Sequence, residues 1–105
     1  MARYNMYLDD LRTPHTTKEW VIVRSYQEAV DMIVEFGMPT YISFDHDLGE
    51  DVPTGFDLAK WMVNEHLDGV THWPTNFEFN VHSANPVGAA NIQKLLDGYI
   101  AHMSI

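Results

Sequence analysis

Tyr41-Ile42-Ser43-Phe44-Asp45-His46-Asp47-Leu48-Gly49 decides how the chain is read. Its first four residues suit a buried strand, which breaks abruptly into two acids around a histidine before a glycine turn. Ahead of it, Ser25 and Glu28 have the spacing of a capping box. Tyr26, Ala29, Val30, Ile33 and Val34 then fall on one helical stripe, and Gly37 and Pro39 stop that helix. Behind it, Thr54 and Asp57 offer caps for a helix whose stripe is Ala59, Met62, Val63, His66 and Leu67. A strand set between two helices belongs in a parallel sheet, because each parallel crossover needs a helix.

The same pattern extends outward. Trp20-Val21-Ile22-Val23 is a β-branched run and predicts a second strand. Tyr4 to Leu8 predicts a first strand that stops at Asp9-Asp10, and Leu11 to Lys18, with Pro14, reads as a loop. Phe77, Phe79 and Val81 alternate with Glu78, Asn80 and His82, which predicts a fourth strand. Asn85 as cap and Pro86 in the first turn open a last helix with the stripe Ile92, Leu95, Leu96, Tyr99, Ile100 and Met103. The order β-β-α-β-α-β-α predicts a single α/β domain over residues 1–105. Its sheet has four mainly parallel strands in the order 2-1-3-4, with three helices on both faces. Only the first connection lacks a helix, which leaves part of one face thinly covered.

Composition narrows the function. Six Lys+Arg against fifteen Asp+Glu give a formal charge of −9, so a basic footprint for duplex nucleic acid is missing and an anionic membrane would repel the chain. Cysteine is absent, which removes disulfides, thiol nucleophiles and cysteine zinc sites. No apolar run approaches a membrane span, and Met1 to Met6 turns polar too soon for a signal peptide. A cytoplasmic location is the expectation.

Ligands of open α/β sheets sit beyond the carboxyl ends of the strands. The unexplained polar residues gather at that edge: Asp9-Asp10 with Arg12 after strand one, Asp45-His46-Asp47 after strand three, His82-Ser83 with Asn85 after strand four. Neighbouring carboxylates repel, and a divalent cation relieves them, with Mg²⁺ or Mn²⁺ suited to oxygen ligands. Asp9, Asp10 and Asp45 are therefore the metal candidates. Ser83, Asn85 and the amides at the last helix start suit a phosphate, with Arg12 as a nearby cation. His82, His46, Asp47 and Ser83 are the catalytic candidates, an imidazole serving as general acid or base.

Acids after strand one, an Asp after strand three and a Ser after strand four resemble the receiver domain of response regulators. There Asp9 and Asp10 would hold Mg²⁺ and Asp45 would accept phosphate. No Lys follows a fifth strand, and the loop from Leu11 to Lys18 stands where the receiver has its first helix. A closer resemblance covers nearly the whole chain. Leu8 to Pro14, Ser43 to Gly49, Gly55 to Trp61 and Val81 to Gly88 are similar to the cyclic-phosphate processing receiver-like family, which is frequent in phages. It implies a three-layer sandwich lacking the receiver's first helix and fifth strand, in the host cytoplasm where phage-encoded.

The expected function is metal-assisted hydrolysis of a cyclic or terminal phosphate, either a cyclic nucleotide signal or a cyclic phosphate at an RNA end. The partner is then a small phosphorylated ligand. A non-catalytic nucleotide-sequestering module and a phospho-accepting switch on Asp45 are the alternatives. A missing first helix also leaves apolar sheet surface that a second copy would cover as a homodimer.

Overall fold

The computed structural model describes residues 3–15 and 18–103; positions 16 and 17 of the predicted loop, and the start of the predicted polar N-terminus, lie outside the described residues. Among these, the strands β1 (Asn5–Leu8), β2 (Val21–Val23), β3 (Tyr41–Phe44) and β4 (Glu78–Val81) alternate as expected with the helices α1 (Tyr26–Phe36), α2 (Gly55–Leu67) and α3 (Pro86–Met103). All pairings are parallel and the strand order is β2-β1-β3-β4. β2 is included despite its helix-free link, with Met6 opposite Val21 and Leu8 opposite Val23.

Helices on both faces, the three-layer expectation, is corrected. Met6, Leu8, Val23, Ile42 and Phe44 of the sheet share one core with Ala29 and Ile33 of α1, Leu58, Ala59 and Met62 of α2, and Ile92 and Leu96 of α3. α2 packs on both α1 and α3, and α3 reaches β4. All three helices cover one face. Handedness explains it: the β2-α1-β3 and β3-α2-β4 steps run the same way across the sheet, so right-handed crossovers place both helices on one side. The step from β1 to β2 runs the other way. A helix there would cover the second face, and this chain makes the step without one. The face carrying Tyr7, Tyr41, Ser43 and Asn80 is left without a helix.

Helix caps hold the elements in place. Thr54 Oγ1 accepts from Asp57 N while Asp57 Oδ2 accepts from Thr54 N, a complete capping box at the start of α2. At α1 the Ser25 hydroxyl accepts from Glu28 N, but Glu28 Oε1 reaches back one residue further than a capping box, to Arg24 N. Three residues of the predicted stripes, Val34, Leu67 and Met103, are exposed, the last two being the final residues of their helices. Thr54→Ala is expected to cost about 1 kcal/mol, read as a lower midpoint in urea. The Thr54 amide, ahead of the Lys60 contact, holds the Asp57 carboxyl below its ordinary value. Its contribution is therefore present above the unfolded carboxylate value and is lost as pH falls through the folded one.

Candidate functional site

Three residues just past the strands are fixed by ladder bonds. Asp9 N donates to Val23 O at 3.2 Å, Asp45 N to Leu8 O at 2.8 Å, and His82 N to Phe44 O at 2.9 Å. Side chains alternate along a strand, so Asp9 follows Tyr7, Asp45 follows Ser43 and His82 follows Asn80 onto the helix-free face. Asp9, Asp45 and His82 each offer a donor atom there, all within 4.8 Å of one another. No other such trio occurs among the described residues.

Asp9 is 1% exposed and saturated with donors. Its Oδ1 accepts from the Leu11 and Arg12 amides, and its Oδ2 lies 2.9 Å from Arg12 Nε and 3.0 Å from His82 Nε2. Burial alone would raise this carboxyl, but the two amides, the His82 bond and the Arg12 charge together bring it below its ordinary value. Arg12 also reaches Asp45 Oδ2 at 3.6 Å, so its guanidinium balances both acids. Arg24 Nη1 donates to the backbone oxygens of Asp9 and Arg12, pinning the turn that carries Arg12.

His82 is held on both sides. Its ring stacks on Tyr7 with centroids 4.5 Å apart and planes 4° from parallel, and Nδ1 lies 2.7 Å from Ser43 Oγ. Asn80 Nδ2 donates in turn to Ser43 Oγ at 3.4 Å. A hydroxyl both donates and accepts, so Ser43 suits either tautomer of His82. Ser43, Tyr7 and Arg24 were not singled out from the sequence. Ser43 was findable, being two residues before Asp45 in an apolar strand and so on the same face.

The remaining candidates divide. Asp10 does not join the trio, as adjacent residues at a strand end face opposite ways. His46, Asp47 and Asn85 form a second cluster at the start of α3, with His46 Nδ1 2.8 Å from Asp47 Oδ1 and Asn85 Nδ2 3.3 Å from Asp47 Oδ2. The His46 bond, followed by that of Asn85, lowers the Asp47 carboxyl. Asn85 Oδ1 accepts from Gly88 N, the expected cap, and Ser83 Oγ accepts from Asn85 N. A Cβ on Gly88 would stand 2.3 Å from His46 Cγ, so the His46 ring packs directly on the helix backbone. His66, bonded to Tyr99 and set beside Trp73, is a packing residue.

A parallel sheet in the order β2-β1-β3-β4, with buried acids at the ends of β1 and β3, defines a receiver-type α/β domain. The chain belongs to the family of cyclic-phosphate processing receiver domains, whose model matches residues 4–98. No curated protein and no solved structure gives a significant match. No helix among the described residues is long and apolar enough to cross a membrane.

Proposed function

We propose that the protein hydrolyses a cyclic or terminal phosphate ester with the help of a divalent metal. The observation carrying this reading is the convergence of Asp9, Asp45 and His82 within 4.8 Å on the helix-free face. Two buried carboxylates beside an imidazole suit a hard cation, Mg²⁺ or Mn²⁺. Asp9 and Asp45 are the holding pair, and His82 Nε2 lies beside it. Once bound, the metal supplies Lewis acidity toward a phosphoryl oxygen and an acidified water. His82 moves the proton, its ring oriented by Tyr7 and Ser43. Arg12, half-exposed and bridging the two acids, turns to the phosphate oxygens when a cation takes its place. Ser83 and the amides following Asn85 offer further donors for the phosphate.

Mn²⁺ is expected to raise Tm by linkage, and Asp45→Asn to abolish that rise. An undiminished rise in the variant would place the metal elsewhere. Arg12→Ala removes a competing cation, so its Mn²⁺-induced rise in Tm should be larger than that of the wild type. The same variant should chiefly raise KM, as expected for contacts equal in ground and transition states. Turnover is tested on cyclic mononucleotides, cyclic dinucleotides and RNA ends bearing 2′,3′-cyclic phosphate, each with Mn²⁺. Tight binding without product from any of them would favour the sequestering module. Phosphate retained on Asp45 and released by alkali or hydroxylamine would favour the switch.

A further inference from the structure

The face left without a helix carries a groove that the proposed chemistry does not use. It holds about 290 Å³ and is bordered by Tyr7, Lys18, Trp20, Tyr41, Asn80 and His82. Trp20 stands edge-on to Tyr7 at 5.5 Å and to Tyr41 at 5.7 Å, so three aromatic rings form one continuous wall. Lys18 Nζ lies 4.2 Å from the Tyr41 ring centre and 5.6 Å from that of Trp20. The wall ends at the Tyr7–His82 stack, so the groove opens directly onto the imidazole beside Asp9.

We propose that this groove is a subsite for the nucleobase of a nucleoside phosphate whose phosphate sits at Asp9, Asp45 and His82. The inference rests on the phosphoesterase reading for the position of the phosphate, but not for the groove itself. A planar, π-rich ring matches the chemistry of the wall, since bases stack on aromatic side chains irrespective of sequence. The Lys18 ammonium now occupies the faces of Tyr41 and Trp20 through cation–π contacts, on a flexible stem that moves aside easily. Displaced, it becomes a donor for base or sugar oxygens. The exposed Asn80 amide, already donating to Ser43, keeps its carbonyl oxygen for a base amino group. An aliphatic cyclic phosphate has nothing to place in this wall. The substrate class is therefore narrowed from phosphate esters to nucleoside phosphates.

The test has two arms. In the first, adenosine alone, without metal, is titrated into the protein and followed by NMR. The Trp20 indole and the Tyr41 and Tyr7 ring signals should move, and Trp20→Ala and Tyr41→Ala should each weaken binding about 5- to 100-fold. Trp20→Phe, which keeps an aromatic ring, should weaken it less, and thermal melts identify any variant that fails to fold. In the second, kcat/KM is measured with Mn²⁺ on adenosine 2′,3′-cyclic phosphate and on glycerol 1,2-cyclic phosphate. Trp20→Ala should lower the first and leave the second unchanged. Adenosine binding without turnover of any ester would sink the phosphoesterase reading and leave the subsite standing. Turnover of both esters alike, with no ring signal moved by adenosine, would sink the subsite alone. A dimer in solution with the Trp20 face protected would also overturn it, assigning the groove to a second copy.

Discussion

His82→Ala is expected to lower kcat by about 10²-fold or more, at least ~2.7 kcal/mol of transition-state stabilisation, the usual scale for a general acid or base. The expectation follows from how the ring is held. Tyr7 fixes its plane by stacking, Ser43 Oγ fixes Nδ1, and Nε2 is directed at the carboxylate proposed to hold the metal. An imidazole so oriented has lost the freedom to wander, which suits it to a positioned proton transfer. His82→Gln keeps a polar group but cannot exchange a proton near pH 7, so it should fall with the alanine variant. The decisive control is the Mn²⁺-dependent rise in Tm, which should survive in both variants while turnover is lost. If that rise disappears together with turnover, His82 is a third metal ligand and the proton must come from elsewhere.

Why His82 is legible while its pairing with Tyr7 and Ser43 is not is a matter of range. The alternation over Phe77–His82 marks one polar edge residue at the end of a strand, and that is local information. Its partners Tyr7 and Ser43 come from two other strands, and only the register of β1, β3 and β4 brings them together. Strand order was also readable, since the sequence of elements and right-handed crossovers leave few topologies. The alternation of elements and right-handed crossovers suggest two covered faces; the same rule applied to the direction of each step puts both crossover helices, α1 and α2, on one. Asp10 illustrates the opposite failure. A doublet of acids reads as one feature in sequence, but a pleated strand end sends its members apart, and Asp9 alone enters the trio. In sequence Arg12 reads only as a cation near a phosphate, with nothing to show what holds it. In the fold Arg24 anchors its turn by two backbone carbonyls, and the Arg12 guanidinium balances Asp9 and Asp45.

Gly55→Ala should be the most damaging substitution of a residue with no chemistry of its own, costing about 2 kcal/mol or more and weakening the metal response. A Cβ at this position would stand 2.0 Å from the carbonyl oxygen of Asp45 and 3.0 Å from its carbonyl carbon. Both are backbone atoms at the end of β3, so relief requires the strand and the helix to separate. Overpacking of this kind typically costs 1–3 kcal/mol, and here a moved helix start also loses the Gly55 N to His46 O bond of 2.8 Å. The effect reaches the site because Asp45 is itself the obstructing residue, and a shift of its backbone carries its carboxylate away from Asp9. Gly88→Ala provides the comparison. Its Cβ would meet the His46 ring, a side chain able to turn aside once its bond to Asp47 is given up. That variant should lose less stability and keep its Mn²⁺-dependent rise in Tm, because His46 is not among the converging donors. Urea unfolding and Mn²⁺ titration of the two variants, side by side, measure both effects. Equal losses from the two would mean that the close approach of α2 to β3 does not set the position of Asp45.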